Sequence, residues 1–362
     1  MGTKFPFSHL DPILFSGLLE DPVLVVRTNP SRSNLMVDCG QIEHIAKRVI
    51  KSIDLLFITH AHMDHFIGMD HFVRCVLVSN KTIKVFGPVN LAEKIHAKMK
   101  AYDWNLVEPY FCSLEVFEIG EERIDTYLIN GADQFSISKS GSRLRETLTI
   151  FENDHIKVEA KQCDHKIPVL IYKFTEKPPY QIDETKLKDC GYKTGPWLEE
   201  LKDWFHDSQS DETKSILAET CDSGPKRFSD LRKLYNDIKK DTESYSIGYV
   251  TDVGFTRKNR EVINSLMENV SLLVCECTYL SENKSKARES YHLCTDDINK
   301  LVNDIKPSFL LPMHLSNSHL GNSAELYNQL KPGPKTKLLK IPERVKGNPI
   351  TAADLFSNNT MS

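Results

Sequence analysis

The stretch "ITHAHMDHFIG", residues 58–68, limits what this chain can be more than any other. It places His60, His62, Asp64 and His65 within a few positions, directly after the apolar run "LLFI" (55–58). An uninterrupted run of this kind, 53–59 here, predicts a strand buried on both faces. Residues just past a strand end occupy a loop, where the backbone can turn several side chains toward one point. His60 and His62 are two apart, so extended backbone sends them to the same side. Asp64 and His65 follow the turn and address a second point nearby. Imidazole with carboxylate suits Zn²⁺, Mn²⁺ or Fe²⁺. Four such groups exceed what one tetrahedral ion with an open position needs, so two ions are predicted.

Adjacent ligands alone cannot complete two sites, and the missing partners should sit at other strand ends. Three residues meet that condition. His165, in "KQCDHKIPV", follows a predicted strand; Asp252, in "IGYVTDVGF", ends another; His314, in "FLLPMHLSN", ends a third.

The rest of the chain supplies the strands. Residues 23–39 read as strand, turn, strand, 41–50 and 70–77 as helices, 81–88 as a strand stopped by Gly-Pro. Residues 90–102 have helical periodicity, with Leu91, Ile95 and Met99 on one face. From 114 to 174 the pattern becomes strands and hairpin turns. Residues 175–215 are rich in Pro, Gly and acids and read as an inserted arm. A basic helix (226–240), strands at 246–251, 271–279 and 308–313, and helices at 257–269 and 294–305 follow. The last twenty residues or so read as loosely ordered. Strands followed by β/α alternation, twice over, predict a single α/β domain over 1–362, built as four αβ/βα layers with helices outside two packed sheets.

Charge excludes one class of partner. The net charge is −4, so no overall basic field draws the chain to nucleic acid or anionic membrane, and any nucleic-acid contact is local. No window is apolar enough for a membrane span, and the first residues lack the pattern of a secretory signal. Nine cysteines without a CxxC pair predict reduced thiols in a cytoplasm. Cys275 and Cys277 point to one face of a strand and read as core packing.

The order HxHxDH, lone His, lone Asp, last His, each at a strand end, resembles the metallo-β-lactamase superfamily. The resemblance implies an αβ/βα sandwich with a dinuclear site: His60, His62 and His165 on one ion, Asp64, His65 and His314 on the other, and Asp252 bridging. Finer features resemble the ribonuclease Z (tRNase Z) family. "HFIGMDHFVR" is similar to its segment after the cluster, "DHKIPVLIYKF" to its DHxxPxxxY segment, and "DETKLKDCGYKTGPWLEELK" to its arm, with Gly195 and Pro196 as the Gly-Pro element. "LLVCECTY" and "SYHLC" align Glu276 and His292 with a paired Glu and His, and "HLS" aligns Ser316 with the last motif. Ser318 and His319 stand where that family usually carries Arg-Tyr, and its opening Gly-Thr-Gly loop is absent. The arm is acidic, with six lysines against ten acids over 176–214.

The resemblance implies a zinc-dependent phosphodiesterase that cleaves precursor tRNA 3′ trailers; the alternative, favoured by the acidic arm, is a hydrolase of the same fold acting on a small phosphodiester or another ester. Two cations about 3.5–4 Å apart can acidify water and polarise a phosphoryl oxygen. Asp64 would orient the attacking water, and His292, held by Glu276, would protonate the leaving oxygen. Candidate substrate contacts are Gly195, Pro196, Ser316, and Lys139 and Arg143 in "SKSGSRLR" (138–145), a stretch that also reads as a solvated turn. A homodimer in which each arm serves the other subunit is also implied.

Overall fold

The structure, a computed structural model, describes residues 4–29, 33–206, 214–221, 224–345 and 348–357. The chain divides into two compact units. The first comprises 1–151, 158–175 and 245–362; the second comprises 152–157 and 176–244.

The first unit carries two large sheets. One has eight strands in sequence order: β1 Leu10–Leu14, β2 Leu24–Thr28, β3 Asn34–Val37, β4 Ile53–Phe57, β5 Thr82–Gly87, β6 Ser113–Ile119, β7 Arg123–Asn130 and β8 Ser136–Leu144. Its central ladder, β3 to β6, is parallel, with antiparallel pairs at both edges. The other sheet contains β9 Thr149–Glu152, β10 Ile156–Asp164 and β11 Pro168–Glu176. It continues through β14 Ser246–Val250, β15 Leu272–Glu276, β16 Phe309–Met313 and β17 Lys337–Leu338, in the order β17-β16-β15-β14-β11-β10-β9. β12 Ile216–Thr220 and β13 Gly224–Phe228 form a hairpin in the second unit.

Aromatic residues join the two sheets. Phe57 stacks on Phe86 at 4.8 Å and meets Tyr172 and Phe174 of the opposite sheet edge-on. The Tyr172 hydroxyl donates across to the Ile58 carbonyl, so its buried polar atom is satisfied. Helices close the outer faces. α1 Lys47–Lys51, α2 Met63–Phe66, α3 Met69–Val76 and α4 Leu91–Lys100 belong to the first half of the chain. Ile50, Met69, Phe72, Leu91, Ile95 and Met99 are buried in one cluster with the outer face of the first sheet. α8 Arg257–Met267, α9 Lys284–Ser290, α10 Thr295–Ile305, α11 Ala324–Gln329 and α12 Ala352–Ser357 follow β14. The chain is thus the predicted four-layer α/β sandwich.

The second unit holds α5 Glu184–Asp189, α6 Trp197–His206 and α7 Leu231–Ile238 with the β12–β13 hairpin. It packs its own small core of Leu187, Trp197, Leu201, Ile216, Leu234 and Ile238. The excursion therefore runs well beyond 175–215. The stretch 226–240, expected as one helix, is split: β13 pairs with β12, and a helix starts only where Asp230 caps the Lys233 amide at 2.8 Å. Residues 207–213 of the predicted arm lie outside the described residues.

Three other expectations change. The helix expected over 41–50 begins only at Lys47, because Ala46 is extended and Ile42 and Ile45 are drawn into the core. "SKSGSRLR" is a strand and not a turn; β8 pairs along its length with β7. The C-terminal segment is anchored: Ile350 pairs with Leu14, and Phe356 packs edge-on against Phe5 and Phe309.

Candidate metal centre

All seven candidate ligands lie at or just past strand ends of the first unit, and the structure brings them to one place. β4 ends three residues before His60, with Asp64 and His65 in α2 beyond it; β10 ends one before His165, β14 two before Asp252, and β16 one before His314. Asp252 (φ 48°) and His314 (φ 60°) adopt left-handed backbone, as does Asp38 (φ 58°) after β3. Such conformations cost non-glycine residues about 1–2 kcal/mol each. Here they turn the chain sharply just past the ends of β3, β14 and β16.

The Asp252 carboxylate is the centre. Its Oδ2 is 3.6 Å from His60 Nε2, 3.3 Å from His65 Nε2 and 3.7 Å from His165 Nε2. Its Oδ1 is 3.1 Å from His314 Nε2. Asp64 Oδ2 lies 3.5 Å from His314 Nε2 and 3.7 Å from His65 Nε2. Two donor groups result, His60/His62/His165/Asp252 and Asp64/His65/His314/Asp252, each with its ligand atoms within 4.8 Å of one another. Asp252 is common to both.

The remaining ring nitrogens are fixed from behind. His60 Nδ1 is 3.1 Å from Thr59 Oγ1, His65 Nδ1 is 2.9 Å from Asp38 Oδ2, and His165 Nδ1 is 2.7 Å from the Tyr291 carbonyl. Bonding at Nδ1 sets the tautomer and turns Nε2 toward the cleft. Yet the Nε2 atoms of His60 and His65 are buried and have no hydrogen-bond partner. A buried polar atom left without a partner is costly, and each specific case calls for an explanation. A cation supplies it, and imidazoles with shared carboxylates are the donor set of Zn²⁺ and its neighbours. The residues present therefore fit a pair of divalent ions.

Electrostatics agree with that fit. Burial, with His65 beside it, pushes the His60 pKa down to about 2, so the ring is neutral. Burial and His165 lower His62. Against the effect of burial, His314 and His65 hold the Asp252 carboxyl well below the usual range, so it is ionised. Against burial again, Asp252 and Asp38 raise His65, and Asp252 raises His314. In a metal-free site both rings hold a proton more readily than a free imidazole, and a cation competes with that proton.

Glu276 and His292 form a separate arm on the same cleft. The fully buried Glu276 carboxylate accepts from the Val253 amide (2.7 Å), Thr278 Oγ1 (2.6 Å), the Leu293 amide (3.2 Å) and His292 Nδ1 (3.1 Å). Burial opposes protonation of His292, but Glu276 outweighs it and raises the ring to about 9. His292 Nδ1 is 3.9 Å from Asp252 Oδ1, which places the ring at the edge of the ligand cluster.

The candidate substrate contacts are placed differently. Lys139 Nζ pairs with Asp125 at 3.0 Å, and Arg143 donates to the Ile150 carbonyl at 3.4 Å, so both have partners within the chain. The Ser316 hydroxyl accepts from the Ser318 amide and stabilises the turn after His314. Gly195 and Pro196 belong to the second unit and introduce α6, with Trp197 packed over Gly195.

Three supporting residues escaped the sequence reading. Asp38 accepts from the Thr59 amide and hydroxyl (both 2.8 Å) and from the Tyr249 hydroxyl (3.2 Å) besides holding His65. Tyr291 holds His165 through its carbonyl. Asp21 is half-buried, and burial together with Asp64 raises its carboxyl pKa. Of these, only Asp38, an acid closing the strand "LMVD", carried a visible signal.

No family model matches the chain. Curated relatives do. The ribonuclease Z of Deinococcus radiodurans is 24% identical over 79% of this chain and 83% of its own length. A Prochlorococcus marinus ribonuclease Z is 27% identical over 92% of each. Among solved structures, the metallo-beta-lactamase fold protein YhfI from Bacillus subtilis superposes with a TM-score of 0.53 at 11% identity, covering 92% of this chain and 98% of that one. The chain is a metallo-β-lactamase-fold protein related to ribonuclease Z. In this chain the C-terminal ends of β4, β14, β15 and β16 form the edge that carries the candidate ligands, with Glu276 closing β15.

Proposed function

We propose that this protein is a metal-dependent phosphodiesterase of the ribonuclease Z type that removes 3′ trailers from precursor tRNA. The observation that carries the reading is the pair of donor groups sharing Asp252, with the Glu276–His292 pair on the same cleft. Two ions, zinc by preference of the donor set, would be held by His60, His62 and His165 and by Asp64, His65 and His314, with Asp252 between them. When bound, such a pair supplies Lewis acidity toward the phosphoryl group and acidifies a water.

The chain's residues supply the rest. Asp64 is partly exposed, with 39% of its side chain open, so its carboxylate is placed to orient a water for in-line attack. His292 is kept protonated by Glu276 and donates to the departing ribose 3′ oxygen. Glu276, satisfied by four donors, holds that ring in one orientation. The nine free cysteines, most of them buried, suit a reducing compartment, and we place the enzyme in the cytoplasm. No helix among the described residues is long and apolar enough to cross a membrane. A homodimer in which the second unit of one subunit meets the substrate of the other completes the proposal.

The test incubates the protein with zinc or manganese and a precursor tRNA. Release of a tRNA body with a 3′ hydroxyl and a 5′-phosphorylated trailer supports the reading. Hydrolysis of bis-p-nitrophenyl phosphate without any cleavage of precursor tRNA overturns it in favour of a small phosphodiester or another ester.

A further inference from the structure

A cavity of about 760 Å³ lies within the second unit, between α6, α7 and the segment after α7. Its size is that of a small-molecule site, about 300–1,000 Å³. One wall is aromatic. Trp204 and Phe205 come from α6 and Tyr235 from α7. Phe205 and Tyr235 have ring centroids 4.8 Å apart, and Tyr235 stacks on Tyr180 at 5.1 Å with planes 14° apart. Phe205 and Tyr235 meet at 51°, and Tyr180 backs Tyr235, so these rings form a packed, angled aromatic wall.

The rim is basic. Arg232, Lys239 and Lys240 line it together with Asp241 and Glu243. Asp241 is neutralised by Lys186 at 2.7 Å. Among the described residues no ion pair engages Arg232, Lys239 or Lys240, so three cations face the one remaining acid, Glu243. The stretch 226–240 holds six basic residues against two acids. A stacking wall beside uncompensated cations selects a planar ring carrying an anionic group.

We propose that this cavity binds a nucleotide, its base against the Trp204 and Phe205 wall and its phosphate on Arg232, Lys239 and Lys240. The inference rests on the phosphodiesterase reading for its source: in an enzyme that cuts RNA, the occupant is an unpaired nucleotide of the RNA. A free mononucleotide shares the same chemistry, and the experiment separates the two.

The full chain has three tryptophans, Trp104, Trp197 and Trp204, so emission quenching reports stacking at the wall. The probes are AMP and an uncleavable 2′-O-methyl oligoadenylate. Saturable quenching is expected in the wild type and is abolished in Trp204→Phe. The pair Arg232→Ser and Lys239→Ser, at one exposed and one half-buried position, combined, weakens binding about tenfold and flattens its salt dependence by about two phosphate contacts. Hydrolysis of bis-p-nitrophenyl phosphate stays at the wild-type rate in both variants. Oligonucleotide binding tighter than AMP assigns the cavity to RNA; equal binding assigns it to the free nucleotide. No quenching, or quenching and affinity unchanged in both variants, overturns the proposal. A protein that cleaves no RNA yet shows the Trp204-dependent quenching loses the catalytic reading and keeps the pocket; one that cleaves precursor tRNA without that quenching loses the pocket alone.

Discussion

Asp38→Asn is the most informative substitution, because it keeps the shape and removes the charge behind His65. The carboxylate takes the Thr59 amide and hydroxyl on Oδ1 and His65 Nδ1 and the Tyr249 hydroxyl on Oδ2. An amide offers one acceptor oxygen and an NH₂ group. Whichever way it turns, its NH₂ faces donors. Leaving one or two buried donors unsatisfied costs about 1–3 kcal/mol each, so the metal-free protein should lose about 2–5 kcal/mol in urea unfolding. Losing the carboxylate behind a metal-ligating histidine lowers metal affinity about 10–100-fold, or about 1.4–2.7 kcal/mol. Competition against a calibrated chelator at fixed pH measures that change directly. Saturating zinc should restore most of kcat, since no group that touches substrate has been altered. Zinc affinity within about twofold of wild type in a folded variant refutes the account of Asp38.

Other perturbations separate the remaining roles. His292→Ala should lower kcat on precursor tRNA by about 10²–10⁴ and spare bis-p-nitrophenyl phosphate, whose leaving group needs no proton; equal losses on both substrates would contradict the general-acid role. Because Glu276 raises His292 to about 9, the ring stays protonated at neutral pH and activity should fall as pH rises past that value. Glu276→Gln moves this falling limb to lower pH in a kcat profile. Gly254→Ala places a Cβ 2.7 Å from the Tyr291 ring, so Tyr291, and with it the carbonyl holding His165, must shift. Metal content on the His60/His62/His165 side should drop, as read by metal analysis after mild chelation.

The fold class was legible because its signals are local. Apolar runs at 53–59, 246–251, 271–279 and 308–313 each mark a strand buried on both faces, and an ionisable residue just past an apolar run stands out. Asp38 was visible only as an acid closing a strand; its role was not legible, since it depends on Tyr249, 211 positions away in sequence. β8 was missed because nearly every residue in it is exposed on both faces, which removes the period-two signal. The second unit was found only at its Pro-rich start. Its far half, β13 and α7, reads as a separate basic stretch, and only side-chain packing in the folded chain joins it to α6. The C-terminal segment lacks periodicity, yet Phe356 is held by Phe5 from the opposite end of the chain.

The central claim is that two cations share Asp252. Crystals grown with zinc, measured on either side of its absorption edge, test it most directly. The account predicts two anomalous peaks per chain, one bounded by His60, His62 and His165, the other by Asp64, His65 and His314, with the Asp252 carboxylate between them. One peak alone, or peaks away from these side chains, would contradict it.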